Sequence, residues 1–254
     1  MFHLAIGTPM YGGQCTSEYT QSVLNLTEAI TTSGNRVTSI FLGNESLIQR
    51  GRNTIAHHFL NTDATHLIFI DADIKFRPAD IAKMIKADKE LIIGPVPLKG
   101  IDWENVRMCA LEGKENLWKQ GGVFNINHLD GHFMQDEEEP FEIKHGGGAM
   151  MLIKREVFEE LIPHTDTYIN GGVTIPQGKE ISNFFRVEIN EEKQLLSEDY
   201  FFCESYRKIG GKVWCAPWFD VGHFGSYLFS GKYSETFKPE ITKPKSPQNI
   251  FSQL

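Results

Sequence analysis

The stretch 66-HLIFIDADIKF-76 limits what this chain can fold into more than any other. Five of the six residues from Leu67 to Ala72 are apolar, a run fit for a buried strand, and Asp71 and Asp73 stand at its exit. Two carboxylates ending an apolar strand must be solvated, paired or bound to a cation, because burying them bare is costly. Oxygen donors of this kind suit a hard divalent ion such as Mg²⁺ or Mn²⁺, whose remaining positions are commonly filled by substrate phosphates. The plainer alternative is a solvated turn after a core strand.

The flanking sequence alternates strand-like and helix-like segments. His3 to Gly7 predicts a short strand ending in the loop sequence TPMYGG. From Ser17 onward Tyr19, Val23, Leu26 and Ile30 recur at steps of three and four, one face of a helix, with Gly34-Asn35 as its stop. Val37 to Leu42 predicts a second strand and 46–61 a second helix. Pro78 opens a third helix at the position where its missing N–H costs least, and Leu91 to Gly94 is a further strand ending in GPVPLKG. Strands separated by helices of this length predict an α/β fold with a mostly parallel sheet and right-handed crossovers. Ligands bind beyond the carboxyl ends of such strands, so TPMYGG, IDADIKF and GPVPLKG gather on one rim.

Residues 101–140 show no regular pattern and end in DEEEP, a solvated acidic loop. Order resumes over Phe141–Ile153, interrupted by GGGA at 146–149, and Arg155 to Leu161 predicts a helix. Loops and short strands fill 165–195. A late helix starts at Ser197, anchored by Tyr200, Phe201 and Phe202, and stops at Gly210-Gly211. KVWCAPW reads as a last strand before DVGHFG, and beyond Gly231 the Pro, Lys and Ser content predicts a mobile tail.

The 254 residues, 41% hydrophobic and 23% charged, are those of a soluble protein of one large α/β domain or two small ones. No apolar run approaches the ~20 residues of a membrane span. The N-terminus lacks the basic flank of a signal peptide. Cys15, Cys109, Cys203 and Cys215, without a C-x-x-C pair, fit reduced thiols in a cytoplasmic compartment. A net charge of −8 weighs against broad electrostatic binding to nucleic acid.

Three further features carry chemistry. In 47-LIQRGRNTIAHHF-59, Arg52 shares a helix face with Ile48, Ile55 and Phe59, and an inward guanidinium needs a carboxylate or a phosphate. Either Arg52 faces a nucleotide, together with Arg50 and Asn53, or it snorkels or pairs with a structural acid; His57 and His58 read as surface or core. The glycines at 146–148 mark a close approach by a ligand or another backbone, or a plain bulge. Glu198 and Asp199 head a helix, where the dipole favours acids, and either can serve as a general base. His223, in VGHFG, follows a strand and can reach the acidic rim.

In family order, TPMYGG, RGRNTIAHHFL, HLIFIDADIKF, GPVPLKGIDW, GGGAMMLIKREVF, SEDYFFCESYRKIGGKVW and HFG resemble the GT-A class of nucleotide-sugar glycosyltransferases. They look most like the small single-domain enzymes of phages and large DNA viruses, and cover roughly residues 1–103 and 145–226. The resemblance implies a GT-A domain over 1–228, its nucleotide-sugar half at 1–100 and its acceptor and catalytic half at 101–228, followed by a tail at 229–254. By it, Thr8, Pro9 and Tyr11 line the nucleoside pocket, Asp71 faces the ribose and the metal side, and Ala72 is a further donor-binding residue. Asp73 and His223 hold Mn²⁺ or Mg²⁺ against the diphosphate. Arg50, Arg52, Asn53 and Lys99 meet the donor, and Gly147 and Gly148 let sugar and acceptor come close to the backbone. Asp199 or Glu198 deprotonates the acceptor. The implied reaction moves a sugar from a nucleoside diphosphate, expected as a UDP-sugar, to a hydroxyl with inversion, retention staying open. The expected acceptor is a glycan, or else a hydroxylated base in viral DNA, and the expected location is the cytoplasm, of the host cell if the chain is viral. The alternatives are a sugar-nucleotide-forming nucleotidyltransferase, whose basic Gly-rich loop TPMYGGQC lacks, and a non-catalytic binding module.

Overall fold

In the first half of the chain the periodicity of the sequence becomes strands and helices in the expected order. A computed structural model describes residues 2–171, 178–225 and 227–236. The elements are β1 (His3–Met10), α1 (Ser17–Thr32), β2 (Arg36–Gly43), α2 (Ile48–Leu60), β3 (His66–Ile70), β4 (Ile74–Lys75), α3 (Pro78–Lys86) and β5 (Leu91–Ile93). Thr16 caps α1 by accepting the Tyr19 N–H at 3.2 Å, and Gly34, at φ 79°, supplies the left-handed residue that ends it. The strand β1 runs on through Thr8, Pro9 and Met10, which the sequence suggested as loop, because each pairs with a residue of β2.

The second half contributes α4 (Trp103–Leu111), β6 (Ile126–His128), β7 (Phe141–Gly146), β8 (Met150–Lys154) and α5 (Arg155–Leu161). It continues with β9 (Thr167–Ile169), β10 (Glu180–Ser182), β11 (Glu188–Ile189), β12 (Leu195–Leu196), α6 (Glu198–Lys208), β13 (Val213–Cys215), β14 (Asp220–Phe224) and β15 (Leu228–Lys232). The central sheet has eight strands in the order β2-β1-β3-β8-β5-β13-β7-β6. Its pairings set β7 and β8 against the direction of the other six strands. A mostly parallel sheet flanked by helices is the α/β class expected.

Alternation along the strands builds a core on each face. Leu67 and Phe69 point into a cluster with Ile55 and Phe59 of α2, Phe158 of α5 and Phe202 of α6. Ile68 and Ile70 point the other way, towards Tyr19, Val23 and Leu26 of α1 and Ile81 and Met84 of α3. Gly7 lets α2 lie close against β1, since a Cβ there would meet Ile55 Cγ2 at 2.4 Å.

Four expectations need correction. The two sides of GGGA are separate strands: β7 pairs with β13 and β6, whereas β8 inserts between β3 and β5. The region 101–140 contains α4. KVWCAPW is not the last strand, because β14 and β15 follow and form a small antiparallel sheet with β4. Of the segment expected as tail, 229–236 is folded: most of β15 lies in it, and Tyr233 is buried in the core. Residues 237–254, and with them the expected mobility, lie outside the described residues. No helix among the described residues is long and apolar enough to cross a membrane.

Candidate active site

Two adjoining chambers open at the carboxyl ends of the parallel strands. The larger, about 430 Å³, is bordered by Pro9 and Tyr11 after β1, by Glu45 and Ser46 before α2, and by Asp71, Ala72 and Asp73 after β3. The smaller, about 230 Å³, is bordered by Arg52, Asp71, Gly147, Gly148, Glu198 and Asp199, with His223 and Asn125 at its edge. Asp71 borders both, so the chambers form one forked cleft.

Arg52 is the hinge of the fork. Although only 3% exposed, it donates from Nε to Glu198 Oε1 at 3.1 Å and from Nη2 to Asp71 Oδ1 at 3.2 Å. Its carbon Cζ lies 5.2 Å from the centroid of Phe69. Burial alone would weaken its proton affinity, but Asp71, Glu198 and Asp199 outweigh burial and hold the guanidinium firmly charged. Gly148 is required here: a Cβ on it would stand 2.9 Å from Arg52 Cζ. Thus the pairing with acids that the sequence left open is the one formed, and it joins the strand exit to the head of α6.

The two acids of α6 differ in environment. Asp199 Oδ2 accepts the Gly148 N–H at 2.9 Å, while Oδ1 accepts the Tyr200 N–H at 2.8 Å and the Ser197 hydroxyl. Burial raises the Glu198 carboxyl above its ordinary value, Arg52 opposing and Asp199 adding to the shift.

At the other arm, Asp73 Oδ2 lies 2.6 Å from Lys99 Nζ and 3.4 Å from His223 Nε2. Burial pushes the Asp73 carboxyl up, yet the hydrogen bonds from His223 and Lys99 prevail and hold it below the usual range. His223 reaches this place because β14 pairs with β4, matching His223 to Ile74. Its Nδ1 lies 2.8 Å from the Pro97 carbonyl, which can only accept, so Nδ1 carries the proton. Nε2 is thereby the atom left facing Asp73. Among the described residues, no group of three or more His, Cys, Asp or Glu side chains is placed to hold a metal by itself.

Three expected donor residues are engaged elsewhere. Thr8 is fully buried and shares a hydrogen bond with the Tyr19 hydroxyl, so its backbone neighbours, not its side chain, border the cleft. Arg50 forks onto Glu45 at 2.6 and 2.7 Å. Asn53 turns away from the cleft: it accepts from Phe185 N at 2.8 Å and donates to Phe185 O and Asn183 Oδ1, both at 3.0 Å. Ile48, expected on the buried face of α2, is 39% exposed and lines the fork instead. The sequence reading missed Asn125, which accepts from the Tyr200 hydroxyl and whose carbonyl takes the Gly147 N–H at 3.1 Å. It lies in the region without a readable pattern. It also missed Cys15 and Glu45 at the larger chamber; all four cysteines are free.

No family model matches the chain, and no curated protein does. Similar solved structures include A197 from STIV, with a TM-score of 0.49 and 12% identity over 98% of this chain and 100% of that one. TarS from S. aureus gives 0.40 and 9%, over 85% of this chain and 35% of its own. HddC from Yersinia pseudotuberculosis, complexed with GMP-PN, gives 0.32 and 14%, over 82% and 97%.

Proposed function

We propose that the chain is a glycosyltransferase that moves a sugar from a nucleoside diphosphate to an acceptor hydroxyl. One observation carries this reading. Asp71 borders both chambers, so a ligand laid along the fork meets the strand-exit carboxylates first and the acids of α6 last. The larger chamber would take the nucleoside, where the ring of Tyr11 is 79% exposed and free to stack. The diphosphate would lie beside Asp71 and Asp73, and the sugar over Gly147 and Gly148. A UDP-sugar is the proposed donor.

Asp73 and His223 fit Mn²⁺ or Mg²⁺ as a two-donor set. A carboxylate oxygen and the imidazole Nε2 face each other across 3.4 Å, and the far nitrogen of the ring is fixed by a carbonyl, the usual support of a metal-binding histidine. An ion bound there would neutralise charge gathering on the departing diphosphate. Lys99 stands at the same oxygen and can turn to a phosphate.

Asp199 is the proposed base. Three donors hold its carboxylate, and Oδ2 lies 3.9 Å from where a Gly147 Cβ would be, facing the space assigned to the sugar. Glu198, tied to Arg52, positions the fork instead. A single in-line displacement with inversion follows from a base placed across the sugar from the leaving group. The test is to incubate the chain with UDP-sugars and Mn²⁺ and measure UDP release. Asp199→Asn should bind UDP like the wild type and lose at least a hundredfold in release. Silence with every donor would leave only a binding module, and unchanged release would remove Asp199 as base.

A further inference from the structure

A second groove, of about 510 Å³, lies outside the fork, bounded by the start of α4, the turn at 117–119 and β15. Its walls include Ile101, Trp103, Trp118, Tyr227, Leu228 and Phe229. Its size is that of a small-molecule site. Indoles usually seek cover, yet Trp103 is 68% and Trp118 61% exposed, both on this one groove.

The groove neighbours the fork at two places along the chain. Pro97 and Leu98 line the smaller chamber while Gly100 and Ile101 line the groove, so a single residue, Lys99, and at most ~7 Å of chain separate them. In the register of β14 with β15, Phe229 stands directly opposite His223, and residues so paired project from the same face of a sheet.

The lining contains no charged side chain. The three cations next to the lining in sequence are already engaged: Lys119 lies 2.9 Å from Asp220, Lys99 2.6 Å from Asp73, and Arg107 donates to Glu104 at 3.1 Å. A nucleic acid would find none of these three cations free to neutralise its phosphates. The face of a pyranose, by contrast, presents C–H groups that settle on the negative face of an indole, while its hydroxyls stay in water.

We propose that this groove binds a neutral saccharide through Trp103 and Trp118. It serves as the acceptor site of the transfer proposed above; that role rests on the transferase reading, whereas saccharide binding does not. The test probes the labelled full-length chain on an array of neutral oligosaccharides. Parallel arms carry a single-stranded DNA oligonucleotide and phosphatidylglycerol vesicles, and UDP–Mn²⁺ affinity is measured separately by calorimetry. Neutral saccharides should be retained, Trp103→Ala and Trp118→Ala should each weaken retention about tenfold, and Trp103→Phe should restore part of it. Both variants should bind UDP–Mn²⁺ as the wild type does. The proposal is overturned if no saccharide is retained, if retention ignores both substitutions, or if DNA or vesicles bind through these tryptophans instead. Loss of saccharide in the variants of a chain that binds no UDP would keep the groove and remove the transferase reading.

Discussion

Replacing Gly148 by alanine tests the geometry of the fork directly. The new Cβ would lie 2.9 Å from Arg52 Cζ, 3.0 Å from Nη2 and 3.2 Å from Nε. Carbon atoms sit best at about 3.5–4.0 Å, so the guanidinium must retreat by roughly 0.6–1.1 Å. It has little room to do so, with Phe69 alongside and its bonds to Glu198 and Asp71 already at 3.1 and 3.2 Å. A retreat of that size carries at least one bond beyond hydrogen-bonding range. Overpacking costs about 1–3 kcal/mol and breaking a buried ion pair about 3–5, so Gly148→Ala should cost about 3 kcal/mol. At ~2–4 °C per kcal/mol for a chain of this size, the melting temperature should fall by ~6–12 °C. Gly147→Ala is the control: its Cβ would meet Asn125 Nδ2 at 3.5 Å, an ordinary contact, so stability should stay within ~1 kcal/mol. In an Arg52→Met background, Gly148→Ala should lose most of its cost, a coupling of about 2 kcal/mol in urea unfolding. Equal costs in the two backgrounds, or a Gly148→Ala melting temperature within 2 °C of wild type, would refute the assignment.

Two further outcomes follow from other parts of the molecule. Asn53→Ala strips the Phe185 N–H and C=O of their partner, so unfolding free energy should drop by about 2–4 kcal/mol and amide exchange at Phe185 should rise; exchange at the wild-type rate would contradict it. Burial lifts the Glu198 carboxyl above 4.5, so the folded state keeps that proton longer than the unfolded one. Stability therefore falls as pH climbs from about 4.5 through the folded value, and glutamine escapes this. The unfolding free energy of Glu198→Gln minus that of wild type should rise across that window and then level, and a pH-independent gap would be evidence against it.

What could be read from the sequence was what is local. The period of α1, the apolar run of β3 and the proline opening α3 are each contained in one segment, and each folds as read. Arg52 drew attention because its helical phase set a charge among Ile55 and Phe59. Its partners were unreadable, since Glu198 lies 146 positions away and only the docking of α6 brings it near. The same holds for Asn53: its side chain types suggest a polar ligand, but 130 residues later the chain supplies Asn183 and Phe185. The helix α4 escaped notice because only Cys109 of its residues is buried, so it has no apolar stripe. Thr8 to Met10 looked like loop because the strand there is imposed by its neighbour, a tertiary effect that outweighs local propensity.

The charges around the fork bear on how an anionic donor could enter it. Asp71, Asp73, Glu198 and Asp199 face Arg52 and Lys99, a balance of 2 − 4 = −2 with every acid ionised. A proton on Glu198, which burial favours, still leaves an excess of negative charge. A diphosphate adds more, and at short range in a partly dry cleft that repulsion is not screened by solvent. Its entry therefore calls for a cation, and Asp73 with His223 is where a carboxylate oxygen and an imidazole nitrogen already converge. A divalent ion taking Asp73 Oδ2 would displace Lys99 from that oxygen, freeing a second positive group for the phosphates. UDP affinity measured by calorimetry should accordingly rise at least tenfold when Mn²⁺ is added and fall back with chelator. Asp73→Asn should bind UDP weakly and indifferently to Mn²⁺, with its melting temperature near wild type, because its side chain is 30% exposed. Equal wild-type affinity with and without the ion would mean that Arg52 and Lys99 suffice for the diphosphate, and the metal assignment would fall.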